Sequence, residues 1–310
     1  MSDQNERNFV LQRIFIPLDG NAILEPLTSA EQLVRNGLAA IAATFHRNVQ
    51  AVLSTASVPF QLTVAGAQRL RWQQLVTAER IRARNLIDAG TPEDEAEQIA
   101  VRVARERMAT ELESDADAFG GRVLGNLREA LANSQFAEGA FELLRQCTVL
   151  TWSALEVLSQ ETFVELLNTM PSLIVRLSND ESARRLFPLK SIAIETLVDH
   201  EFDMSHHMGE HLIQLRAVDS VPIMRSVFSA LFPSANELHR AFGDTALWTL
   251  NQRRHLIVHK RGVVDREYLT KTGENLETGE QLAVTPAELE IYLRAVVNVG
   301  SELLRNAAGQ

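Results

Sequence analysis

The chain has 310 residues, 45% hydrophobic and 23% charged, a composition that builds a globular core and excludes wholesale disorder. Its formal net charge of −10 disfavours a protein that coats nucleic acid through bulk electrostatics, though not one with a locally basic cleft. Cys147 is the single cysteine, which excludes an internal disulfide and a cysteine-built zinc site.

Glycine and proline are scarce, so few turn signals interrupt the chain and long helices are expected. The opening residues, MSDQNERNFV, lack the basic and apolar regions of a secretory signal. Nor does any stretch approach the roughly 18 uncharged apolar residues of a membrane span. A cytoplasmic location and no membrane partner are therefore expected. A short apolar run, Val10 to Leu18, ends at Pro17 and Asp19-Gly20 and reads as one strand or an extended arm. From a cap at Thr28 or Ser29 an apolar-periodic helix is predicted to Ala56, with Pro59 breaking it. A second helix is predicted from Leu62 to Ala89, stopped by Gly90.

Thr91-Pro92-Glu93-Asp94 opens a third, with a cap, a first-turn proline and acids at the positive end of the helix dipole. It is predicted to reach Phe119 and to end at Gly120-Gly121. Two long helices joined by a tight turn make an antiparallel hairpin. Its many charges, Glu93, Glu95, Glu97, Arg102, Arg105, Glu106 and Arg107, read as a solvated face, the alternative being a docking surface for a protein partner.

A boundary near Asn133–Glu138 divides the chain into an N-terminal helical region, 1–137, and a C-terminal domain, 138–310. Beyond it, an apolar helix from Phe141 to Met170 is closed by Pro171, and a polar loop runs from Ser178 to Pro188. Shorter helices are predicted at Ser191–Val198, His206–Val218, Val221–Leu231 and Ala235–Lys260, and a final one from a Thr285 cap to Asn306. No internal repeat is present. The fold class expected is all-α: a helical bundle preceded by a long helical hairpin.

The segment that carries chemistry is Asn251-Gln252-Arg253-Arg254-His255-Leu256-Ile257-Val258-His259-Lys260-Arg261-Gly262. At about 100° per residue, Asn251, Arg254, His255 and His259 fall in one broad polar sector of a helix. His255 and His259 nearly stack, whereas Arg254 and His259 stand about 140° apart and meet only if the long arginine bends back. One copy is thus an incomplete cleft, and two copies across a two-fold axis would complete it. Metal-free RNA cleavage needs a group that exchanges a proton near neutral pH, which histidine supplies. It also needs a forked cation to stabilise charge on the phosphorane, which arginine supplies. The segment is locally basic, with Arg253, Arg254, Lys260, Arg261, Arg266 and Lys271 set against Asp265 and Glu267.

Arg254-His255, three residues, then His259, followed by Gly262-Val263-Val264-Asp265 and Tyr268-Leu269, resembles the HEPN superfamily. Its motif is an arginine, a polar residue, three residues and a histidine near the end of a helix. Thr151-Trp152-Ser153-Ala154-Leu155-Glu156 resembles the acid-bearing first helix of such domains. Thr272-Gly273, Gly279, Gln281-Leu282 and Val284-Thr285-Pro286 resemble their exit, so the resemblance covers roughly residues 138–308. It implies a homodimeric, cofactor-free and metal-independent endoribonuclease leaving 2′,3′-cyclic phosphate ends, of the kind used as toxins or in anti-phage defence, where an antitoxin is a further partner.

His259 would then serve the 2′-hydroxyl or the leaving 5′-oxygen, Arg254 the transition state, and His255 the polar second position. Asn251 and Glu156 would position these groups, with Arg253, Lys260 and Arg261 toward RNA. In a related toxin group a tyrosine that is a modification target follows two places after the motif histidine; here that place is Arg261. The same resemblance also admits a non-catalytic module that binds RNA or a protein partner. The bland alternative is that Arg254 pairs with a core acid such as Glu156 while the histidines cap the helix end.

A competing constellation, His207-Met208-Gly209-Glu210-His211, matches the H-x-x-E-H pattern of some zinc peptidases, but Gly209 weakens the helix it requires and no third ligand stands out. Cys147, in an apolar helix, reads as a buried thiol, and Trp72, Trp152 and Trp248 as core or interface anchors. No glycine-rich phosphate loop is present.

Overall fold

The structure, a computed structural model, describes residues 18–187 and 192–310 apart from 115 and 133. The apolar run Val10–Pro17 and the end of the polar loop at Pro188 lie outside these residues. The described chain is all-α, with fourteen α-helices, one 3₁₀ turn and a single isolated antiparallel bridge between Val263 and Gln281. No helix among the described residues is long and apolar enough to cross a membrane.

The helices are α1 (Gly20–Glu31), α2 (Gly37–Asp88), α3 (Glu93–Ser114), α4 (Ala116–Leu131), α5 (Ser134–Thr169), α6 (Ile174–Asn179), α7 (Glu181–Leu186), α8 (Ile194–Asp199), α9 (Met208–Leu215), α10 (Val221–Leu231), α11 (Asn236–Phe242), α12 (Thr245–Lys260), α13 (Arg266–Thr272) and α14 (Pro286–Ala308). They fall into two compact units, one of residues 57–140 and one of residues 18–56 with 141–310.

In the first unit, the later part of α2 and α3 form the expected hairpin. Gly90, at φ +99°, turns the chain, and its N–H and that of Thr91 return to Ile87 O and Leu86 O at 2.9 Å. The seam is thin: Leu75, Val76 and Ala104 with Trp72 and Met108, then Ala83, Ala96 and Ala100. Charges bridge it. Arg80 Nε donates to Glu97 at 2.9 Å, Arg71 Nε to Glu111 at 2.8 Å, and the buried Glu79 lies 3.0 Å from Arg107. Glu97 and Arg107 therefore join the two helices rather than serving only a solvated face.

Pro59 does not break α2. Proline removes one backbone hydrogen bond, but its neighbours Val58, Gln61 and Leu62 are exposed and Thr63 Oγ1 donates back to Pro59 O at 2.8 Å. The division between the units falls just before this proline. Likewise Gly120-Gly121 lies inside α4 instead of ending a helix.

In the second unit, α1 and the start of α2 pack with the C-terminal helices. The unit therefore includes residues 18–56, which the sequence placed in the N-terminal region. Ile23, Leu27 and Ala30 are buried, and Arg305 Nη2 donates to Pro26 O at 3.2 Å across the α1–α14 contact. Gly300 lets α14 approach α2 and α5 so closely that a Cβ there would overlap the Phe45 ring and Leu158. Around Trp152, Phe163, Phe187, Phe228 and Phe242, all fully buried, the helices close a single core.

Other boundaries also differ from the sequence reading: the expected cap Thr28 or Ser29 lies inside α1, and α5 begins at Ser134 rather than Phe141. The predicted helix 235–260 is two helices, because Gly243 ends α11 and Asp244 caps α12, accepting from Ala246 N at 2.8 Å. The expected loop 178–188 contains α7, capped by Asp180. Asp265 caps a short helix, α13, that the sequence reading did not include.

Candidate active site on helix α12

Helix α12 presents two faces, and the two adjacent arginines separate onto them. Leu247, Leu250, Leu256 and Ile257 are buried and anchor the helix. Arg253 turns into the protein, its side chain only 8% exposed. There its guanidinium meets Glu274 at 3.1 Å and Glu288 at 2.7 Å and lies over the Tyr292 ring at 5.8 Å. Tyr268 Oη completes the network by donating to Glu274 Oε2 at 2.8 Å. Nε and Nη2 both donate to Glu274 Oε1. Arg253, expected to face RNA, instead turns inward, away from the residues that line the cleft, and clamps α12 to the α13–α14 connection.

Arg254 is 28% exposed and pairs with Glu156 of α5, with Nη2 to Oε2 at 3.5 Å. That is an ion pair but a poor hydrogen bond. Its Nε, buried, has no hydrogen-bond partner among the described residues. The guanidinium is held in place without being saturated.

The cleft beside it has a volume of about 350 Å³ and is lined by Asn251, Arg254, His255 and His259 from α12. Gln252, Lys271 and the pair Asp219-Ser220 complete the lining. The structure thus brings together the four residues of the predicted polar sector. His255 and His259 are both exposed, their ring centroids 4.6 Å apart and tilted by 49°. Burial lowers the His255 pKa, and the neighbouring His259, Lys271 and Arg254 charges lower it further against an opposing Glu267 carboxylate, which favours the neutral imidazole. Glu156 shifts the other way. Partial burial raises its pKa, Arg254 opposes the rise and Asp219 adds to it.

Lys260 and Arg261 are exposed at the C-terminal end of α12, beyond the residues that line the cleft. Backbone geometry sets this end. Arg261 (φ +54°) and Gly262 (φ +75°) are both left-handed, and their N–H groups return to Leu256 O. Gly262 O then accepts from Leu282 N at 2.8 Å, and Gln281 Nε2 donates to Arg261 O at 2.7 Å. Backbone amides thus serve the Leu256 carbonyl at this helix end. Lys271, which also lines the cleft, pairs with Glu267 at 2.7 Å.

Four lining residues, Gln252, Asp219, Ser220 and Lys271, were not among the predicted site positions, although Lys271 was counted in the basic strip. Gln252 precedes His255 by three and His259 by seven, a helical spacing that marks it. Asp219 and Ser220 come from the turn before α10, which no local pattern connects with α12.

The histidine-rich segment behaves differently. His207 is the N-cap of α9 rather than part of it, and stacks on His200 at 4.7 Å. His211 is buried. Gly209 lies so close to α5 that a Cβ would overlap the Val164 backbone, and its N–H donates to Asn168 at 2.7 Å. The glycine serves helix packing, and no group of three or more metal-type ligands is assembled among the described residues.

Compared with protein families, with curated proteins and with solved structures, the chain matches none.

Proposed function

We propose that this chain is a HEPN-type endoribonuclease that cleaves RNA without a metal ion, acting as a homodimer in anti-phage defence or a toxin–antitoxin pair. The observation that carries the reading is the cleft in which an unsaturated guanidinium, Arg254, is grouped with two adjacent imidazoles. His259 takes the proton from an RNA 2′-hydroxyl as that oxygen attacks the adjacent phosphorus. The phosphorus–5′-oxygen bond breaks, and a protonated histidine of the second copy returns a proton to the 5′-oxygen. Arg254 holds the charge that gathers on the equatorial oxygens. His255, neutral at working pH, accepts a hydrogen bond and orients its neighbour instead of repelling a protonated His259. Asn251 lies on the cleft wall to position the substrate, and Glu156 fixes Arg254 from behind. The hairpin unit is the place for an antitoxin or other protein partner.

A non-catalytic module that binds RNA or a protein is the second reading, favoured by one observation, the Arg254–Glu156 pair, which gives the arginine a structural role. Mass spectrometry of RNA incubated with the protein separates the two. New fragments ending in 2′,3′-cyclic phosphate are expected of the nuclease. RNA retained intact by a protein that binds it sinks the catalytic reading and supports the module.

A further inference from the structure

A second cavity adjoins the cleft. It has a volume of about 630 Å³, and its apolar walls are Val221, Phe242 and Trp248. It adjoins the cleft along two elements. Val221 follows the cleft residue Ser220, and Trp248 stands one helical turn before Asn251 on α12. The Trp248 indole N–H donates weakly to the carbonyl of Lys271, itself a cleft residue, at 3.4 Å.

The polar lining is selective. Arg225 is exposed and lines the cavity, and its guanidinium carries five N–H donors. Asp180 and Asp244 each use one carboxylate oxygen to cap a helix, at 2.8 Å to Ala183 N and Ala246 N, which holds both carboxylates in place. Ser226 Oγ is buried with no hydrogen-bond partner among the described residues. A forked cation, fixed carboxylates and a flat aromatic ring beside a phosphate-handling cleft match one nucleobase best. Guanine offers two acceptors, O6 and N7, to a guanidinium, and on its other edge N1–H and an amino group to a carboxylate. Adenine has its amino group where guanine has O6, and the pyrimidines offer less surface to stack.

We infer that the Trp248–Arg225 cavity binds a guanine base of the RNA next to the scissile phosphate, and so selects the cleavage site. The inference rests on the ribonuclease reading of the cleft. Guanosine 5′-monophosphate, adenosine 5′-monophosphate and ribose 5-phosphate titrated into the full chain in a calorimeter test it. The guanine nucleotide should bind about tenfold or more tighter than ribose 5-phosphate, the usual worth of stacking one base. Trp248→Ala and Arg225→Ala should each remove most of that difference. Arg225 is exposed, so its variant guards against a folding defect at Trp248. Equal affinity for the guanine nucleotide and ribose 5-phosphate, or undiminished guanine binding in both variants, overturns the assignment; equal affinity for adenine overturns its base identity. RNA cleavage by the unaltered chain is scored separately. Cleavage without guanine binding refutes the pocket alone, and guanine binding without cleavage refutes the nuclease alone.

Discussion

Neighbouring residues of one helix, Arg253 and Arg254, differ in what they can do because their surroundings differ. The first is enclosed by two carboxylates and a tyrosine ring, the second loosely held beside one acid. Replacing Arg253 with Met leaves Glu274 and Glu288, each partly exposed, without their counter-charge, and should lower unfolding stability by about 3 kcal/mol in denaturant titration. Arg254→Ala should cost well under half as much, since its pair is long and partly solvated; a larger loss would make Arg254 structural. His255 gives a pH signature. Its folded-state pKa lies below the ordinary 6.5, so the unfolded chain takes the proton first. Its contribution to stability is complete above about 6.5 and is lost as pH falls through the folded value. Proton NMR should place its titration midpoint below 6.5, and His259→Ala should move that midpoint upward. A midpoint at or above 6.5 contradicts the proposed neutral role. Burial pushes the Cys147 thiol up to about 11, so it should resist alkylation until the protein unfolds.

Helix boundaries follow from caps and close approaches. Thr285 and Glu288 form a reciprocal capping box at the start of α14, and Thr285→Ala should cost about 1 kcal/mol. Gly300→Ala should cost more, about 2–3 kcal/mol, because the added methyl meets a buried ring on one side and Leu158 on the other. Thermal unfolding of the two variants checks the order, and equal midpoints would contradict the packing described.

Much of this architecture was legible in the sequence. Scarce glycine and proline, with apolar periodicity, gave the long helices, and Gly90 followed by Thr91-Pro92 gave the hairpin turn. Pro59 and Gly120-Gly121 misled because their local cost is absorbed inside helices with many other hydrogen bonds. Gly243-Asp244 was passed over because Leu238, Phe242, Ala246 and Leu250 keep a spacing of four residues through it. At the site, the sector Asn251, Arg254, His255 and His259 was legible from spacing alone. The inward turn of Arg253 depends on Glu274 and Glu288, and the place of Asp219-Ser220 on tertiary folding, so neither could be read locally.

The two units differ in how much they bury. The α14 unit closes over large aromatic and aliphatic side chains, whereas the hairpin seam is mostly alanine between charged pairs. Fewer buried contacts permit lower-energy local opening. Hydrogen exchange should therefore be faster for α3 amides than for those of α14, and equal protection would contradict the thin-seam description.

In the proposed ribonuclease reading, RNA lies at the cleft lined by Arg254, His255 and His259. Incubation of the purified chain with total RNA in the presence of EDTA, beside Arg254→Ala and His259→Ala, tests the central claim most directly. Cleavage by the parent should survive the chelator, and each variant should cleave about a hundredfold or more slowly, the usual loss for a charge-stabilising or proton-transferring group. Cleavage that proceeds at the parent rate in both variants would contradict the account.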